Sequence, residues 1–145
     1  MTRIGAIVAA LLVVVALPAC GMERDPADAL GGRAVTVEVA ALEHPPVQAV
    51  LTDIEQILTG YGDRVSIRRY DLETPEGELF AERHDLVGHT PLALFVDGSM
   101  NVVVNGRNVT FLGFPQGGGP LAAAEGSWTL DDLDAAIAER TGAAS

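Results

Sequence analysis

The chain has 145 residues, of which 48% are hydrophobic and 20% are charged. This composition is too apolar for a disordered chain, and the length suits one domain with a single core. Acidic residues outnumber basic ones 20 to 9, which argues against a nucleic acid partner because phosphate binding needs a basic surface.

The first 19 residues have the pattern of a signal peptide. Arg3 is followed by an uncharged, almost wholly apolar run from Ile4 to Ala19. This run is shorter than the roughly 20 residues that a membrane-spanning helix needs. A basic residue, a short apolar run and a small residue before the cleavage point predict export followed by removal of residues 1–19.

The chain's single cysteine, Cys20, ends the segment Leu17-Pro18-Ala19-Cys20, which resembles the lipobox of bacterial lipoproteins. The resemblance implies that Cys20 is acylated and becomes the new N-terminus. The protein would then be lipid-anchored to the bacterial cell membrane on its extracytoplasmic side, and two acyl chains make such anchoring stable. Pro18 departs from the pattern, which usually has a small residue there. Slow or failed cleavage therefore stays open, as does an ordinary secreted protein with a coincidental cysteine.

A flexible tether and then a strand, a helix and a second strand are predicted after the signal peptide. Residues 20–33 are polar and turn-rich, which is typical of a tether. Residues 34–42 are rich in β-branched side chains and predict a buried strand. A proline pair at 45–46 opens a helix with one apolar face. Alternating apolar residues from Val65 predict a strand toward Leu72, parallel to the first because a right-handed crossover joins the two.

The second half of the chain begins with another helix signal. Thr74 and Pro75 are typical of an N-cap and a first helical position, and the helix should run to about His84. Asn105-Gly106 is the strongest hairpin signal in the chain. The other predicted elements are a strand over 92–96, hairpin strands over 101–104 and 108–112, and a last helix that begins after Thr129 and ends at Gly142.

The segment GHTPLALFVDG, from Gly88 to Gly98, and the order of the elements around it resemble thioredoxin. In that family a similar segment carries a cis-proline and leads into an apolar strand that turns at a glycine into an antiparallel partner. The resemblance implies an α/β fold, a thioredoxin-like βαβαββα three-layer sandwich over residues 34–145, with room for an extra strand in the C-terminal hairpin. It also implies that Pro91 is cis and that the backbone of Thr90 pairs with an extended peptide.

The Cys-x-x-Cys motif of the thioredoxin family is missing. Its place, at the junction of the first strand and the first helix, falls on residues 43–46 or 44–47, and neither register holds a thiol. Disulfide exchange proceeds through a thiolate and needs a second sulfur to complete the cycle. No thiol–disulfide oxidoreductase activity is therefore expected, and no cofactor is expected either.

The resemblance places the start of the first helix beside the proline loop and predicts a binding groove formed by Glu43, His44, Thr90 and Pro91. The leading hypothesis is a membrane-tethered, redox-inactive module that recognises an unknown protein or peptide of the cell envelope. The alternative is a metal-binding site or a metal-dependent enzyme, with zinc or copper held by His44, His89 and Glu43, although such residues more often lie on surface loops without a metal. A purely structural subunit of an envelope complex is a third hypothesis.

Overall fold

A computed structural model describes residues 33–117 and 124–143 of the chain. The signal peptide, the lipidation site Cys20 and nearly all of the tether lie outside the described residues. The elements in chain order are β1 (Val35–Ala41), α1 (Pro45–Thr59), β2 (Val65–Asp71), α2 (Pro75–Arg83), β3 (Leu92–Val96), β4 (Asn101–Val104), β5 (Arg107–Thr110) and α3 (Leu130–Thr141). The α/β class predicted from the sequence is confirmed.

Strand β1 lies at the centre of a three-stranded sheet of order β2-β1-β3. It pairs in parallel with β2, as predicted, and antiparallel with β3. Because β1 and β3 run in opposite directions, the end of β1 lies beside the start of β3. The amide of Leu42 donates to the carbonyl of Pro91 at 3.1 Å and extends this pairing by one step. The segment before α1 and the segment before β3 are thereby neighbours.

The predicted Asn-Gly hairpin is present as β4 and β5, which pair only with each other as named strands in the described chain. Asn105 and Gly106 have φ values of 49° and 74°, the positive angles that a two-residue hairpin turn of this kind requires. Strand β5 ends at Thr110, two residues earlier than predicted. The chain then leaves β4 to bond with β3, and the amide of Leu94 donates to the carbonyl of Phe111 at 3.0 Å.

Two hydrophobic clusters lie on opposite faces of the sheet. Successive strand residues alternate between them, so Val39 belongs to one cluster and Ala40 to the other. The larger cluster holds the apolar faces of α1 and α3 around the fully buried Trp128. The smaller one holds Phe80 of α2, which stacks on Tyr70 with ring centroids 4.0 Å apart. The helices therefore cover both faces of the sheet.

The cis peptide bond predicted at Pro91 is wrong, because within residues 33–117 and 124–143 every peptide bond is trans. The trans form is the default for an X-Pro bond by about 0.5 to 1 kcal/mol. The chain reverses earlier, where Gly88 adopts a φ of 71° and the Thr90 hydroxyl donates to the carbonyl of Val87 at 3.2 Å. No cis bend at Pro91 is needed for its carbonyl to face β1.

Candidate functional site

A cleft of about 560 Å³ opens where β1 ends and β3 begins. One side is formed by His44 at the start of α1, the second by the turn before α2 and by α2 itself, and the third by the segment before β3. We call it the His44–Thr90 cleft. It is lined by Leu42, His44, Leu72, Glu73, Glu78, Ala81, Glu82, Leu86, Gly88, His89 and Thr90.

His44 reaches the cleft because it is the N-cap residue of α1. Its backbone is extended, with φ of −88° and ψ of 149°, and its side chain makes no capping hydrogen bond to the helix. The imidazole Nε2 instead lies 3.4 Å from Oε1 of Glu73. Both side chains are about half exposed, at 53% and 51%. His44 is therefore at the mouth of the cleft, in contact with solvent and with a carboxylate.

Thr90 presents its main chain at the opposite side of the same cleft. Its hydroxyl is occupied by the bond to the carbonyl of Val87. Within the part of the chain that the structure describes, neither the N–H nor the C=O of Thr90 has a hydrogen-bond partner. Thr90 comes just before Pro91, whose carbonyl accepts the hydrogen bond from Leu42. Beyond Leu42 the chain turns away from β3 toward α1.

A second hollow of about 460 Å³ lies on the other side of Thr90, and His89 and Thr90 line both. Pro91 lines this second hollow, and it is not among the residues that line the His44–Thr90 cleft. The segment 89–90 is therefore a ridge with open space on both sides. An extended chain laid along either side of the ridge would run beside the Thr90 backbone.

Glu43 does not line the cleft, although it adjoins His44 in the sequence. Its carboxylate lies 3.3 Å from the guanidinium of Arg69 on β2 and accepts a hydrogen bond from the side chain of Gln48. Arg69 also pairs with Glu55 at 2.5 Å. These contacts direct Glu43 to the α1–β2 side of the molecule. Of the four predicted groove residues, His44 and Thr90 share the cleft.

The position of the Glu43 side chain also separates it from the other two candidate metal ligands. His44 and His89 line one cleft, but Glu43 lies outside it. Across the described ranges, no group of three or more His, Cys, Asp or Glu side chains is arranged to hold a metal ion. Residues 33–117 and 124–143 also contain no cysteine, so this part of the chain has no thiol for disulfide exchange.

Three glutamates in the cleft were not identified from the sequence. Glu73 precedes α2, while Glu78 and Glu82 are four residues apart on the helix and hence on one face of it. That spacing is the local signal from which Glu78 and Glu82 could have been predicted. The floor between them is apolar and half-buried, formed by Leu42, Leu72 and Leu86. The cleft thus combines an apolar floor, an acidic wall and a free stretch of backbone.

The chain matches no protein-family model, no curated protein and no solved structure. Among the helices that the structure describes, none has the length and apolar character needed to cross a membrane. The geometry of the cleft is therefore the basis for a functional hypothesis.

Proposed function

We propose that the domain is a redox-inactive, thioredoxin-like binding module that holds an extended segment of a partner protein of the cell envelope in the His44–Thr90 cleft. The observation that carries the proposal is the backbone of Thr90, whose N–H and C=O have no partner among the described residues and border an open cleft. Thr90 is half-buried, and a ligand that covered its peptide group without bonding to it would incur the free energy of desolvating an unpaired donor and acceptor. A bound peptide would supply the missing partners.

The bonds around Thr90 suit strand addition, in which a peptide adds itself to the exposed backbone of a sheet. The next residue, Pro91, is already paired through its carbonyl with Leu42. A peptide bonded to the N–H or C=O of Thr90 would add to the backbone bonds that this segment already makes. Each added backbone bond contributes about 0.5 to 1.5 kcal/mol net.

The strand arrangement supports the thioredoxin-like part of the proposal. Strand β3 turns at Asp97-Gly98 into an antiparallel segment, with Val96 and Ser99 exchanging backbone bonds of 2.9 and 3.1 Å. The helices lie on both faces of the sheet, as a three-layer sandwich requires. The trans bond at Pro91 is a departure from the family pattern.

Peptide selection on the full-length chain in detergent tests the binding function. An unbiased library of displayed heptapeptides is selected on the protein, and each selected peptide is measured against Thr90→Pro and Thr90→Ala. Thr90→Pro removes the N–H, whereas Thr90→Ala keeps the N–H and removes the hydroxyl and the γ-methyl group. We expect binding to be lost in Thr90→Pro and kept in Thr90→Ala, with thermal denaturation showing that both variants are folded. Selected peptides that bind all three proteins equally would contradict the proposal.

The proposed membrane tether rests on Cys20 and is tested separately. A fully extended tether over residues 20–33 would reach roughly 45 to 50 Å from the bilayer, at about 3.3 to 3.6 Å per residue. Cells that express the full chain are labelled with radioactive palmitate, and Cys20→Ser is the control. We expect label in the unmutated chain and none in the variant. An unlabelled unmutated chain that fractionates with the culture medium would favour the secreted alternative.

A further inference from the structure

Among the described residues, no arginine pairs with the acidic side of the cleft. Glu78 and Glu82 form no ion pair with any arginine in the part of the chain described here, and Glu73 pairs only with His44. Arg83, the arginine nearest in sequence, is engaged elsewhere. Its Nε donates to the carbonyl of Leu79 at 3.2 Å, and its guanidinium lies 5.8 Å from the centre of the Phe80 ring.

The floor of the cleft complements the acidic wall. Arg and Lys carry an aliphatic stem and a charged head, and they bury the stem on apolar surface while the head stays in contact with polar groups. Leu72 and Leu86 offer such a surface beside Glu78 and Glu82. A cleft that is lined by both apolar and acidic side chains suits a basic side chain better than an acidic or a purely apolar one.

Building on the proposed function, we infer that the partner segment is a cationic peptide, with an Arg or Lys side chain that enters the His44–Thr90 cleft toward Glu78 and Glu82. Charge complementarity selects this occupant. A second copy of the chain is a poor candidate because the formal net charge is −11, so two copies repel each other.

The test uses the peptides selected on the full-length chain and two matched double variants. Glu78→Gln/Glu82→Gln removes two charges from the cleft. Glu76→Gln/Asp53→Asn removes two charges from exposed positions that do not line it. Fluorescence anisotropy gives the Kd of each labelled peptide at low and high NaCl. The two variants have equal net charge. A difference between their Kd values would therefore come from the cleft and not from the overall charge of the protein.

We expect Arg and Lys to be enriched in the selected peptides and acidic residues to be depleted. Glu78→Gln/Glu82→Gln removes the attraction of two exposed carboxylates for the basic side chain of the peptide. The Kd of that variant should therefore be about threefold to tenfold higher than that of the unmutated chain. The control double variant should bind like the unmutated chain. High salt should weaken binding to the unmutated chain more than to the cleft variant.

The outcomes separate this inference from the proposed function. Peptides that need the Thr90 N–H but show no basic enrichment, or that bind both double variants equally, would overturn the inference and leave the binding module standing. Failure to select any peptide that depends on the Thr90 N–H would overturn both. A rise in peptide affinity on replacing Arg24 and Arg33 by Gln would show that the chain's own tether occupies the cleft. Dimerisation that the cleft variant abolishes would show a second copy there, and either result would overturn the inference.

Discussion

The imidazole of His44 and the carboxylate of Glu73 meet at 3.4 Å across the mouth of the cleft, and so connect the start of α1 to the turn before α2. Both side chains are about half exposed, and exposed ion pairs contribute about 0 to 1 kcal/mol. We therefore expect Glu73→Gln to change the free energy of unfolding, measured in urea, by less than about 1 kcal/mol. A larger loss would mean that the pair holds the cleft together.

Gly77 in the first turn of α2 should be intolerant of any side chain. A Cβ there would lie 1.8 Å from the backbone oxygen of Asp71, which is too close for either group to remain in place. We expect Gly77→Ala to lower the free energy of unfolding by roughly 3 kcal/mol or more.

Gly98→Ala is the matched control for Gly77→Ala. Gly98 has a φ of 79° and open space around its Cβ position, so the substitution meets only backbone strain of about 1 to 2 kcal/mol. Equal losses in the two variants would show that the contact with Asp71 does not matter.

The carboxylate of Asp132 is the least exposed charged group among the described residues, and it forms part of the capping box at the N-terminus of α3. It accepts from the Thr129 amide at 3.0 Å and from the guanidinium of Arg107 at 2.6 Å, while the Thr129 hydroxyl accepts from the Asp132 amide. Asp132→Ala should cost roughly 2 kcal/mol in chemical denaturation. The neighbouring Asp131→Ala should cost about 0.5 kcal/mol, since that carboxylate acts only through the helix dipole. A reversed order would contradict the capping geometry.

Tyr61 should titrate at unusually high pH. Burial, and then the hydrogen bond from its hydroxyl to Asp134 at 2.6 Å, raise the pKa of Tyr61 from 10.0 to about 12. The folded state thus favours the protonated phenol. This contribution to stability is present in full below about pH 10 and is lost as the pH rises through about 12.

The absorbance of phenolate in a Tyr70→Phe variant, which leaves Tyr61 as the one tyrosine, measures this pKa. Asp134→Ala in the same background should bring the midpoint down toward 10. A midpoint near 10 in both proteins would show that Tyr61 is not held by Asp134.

Elements with local signals were predictable from the sequence. Strand β3 has the predicted bounds, and α2 and α3 begin after the predicted caps Thr74 and Thr129. The parallel pairing of β1 with β2 followed from the handedness of crossover connections. These features depend on the chemistry of residues that are close along the chain.

The set of residues that line the cleft was harder to predict from the sequence, because these residues are far apart along the chain. Glu43 was placed in the groove beside His44, but Arg69, on a different strand, directs its carboxylate elsewhere. The spacing of Glu78 and Glu82 was visible in the sequence. Which face of α2 borders the cleft is set by the packing of Phe80 under the sheet, and no local pattern reports that.

The amide hydrogen exchange of Thr90, measured by NMR with and without a selected peptide, tests the central claim most directly. The amide of Leu42, which is bonded to the carbonyl of Pro91, is the internal reference and should be protected in both states. We expect the Thr90 amide to exchange fast in the free protein and to become protected when the peptide binds. Unchanged exchange at Thr90 in the presence of saturating peptide would contradict the account.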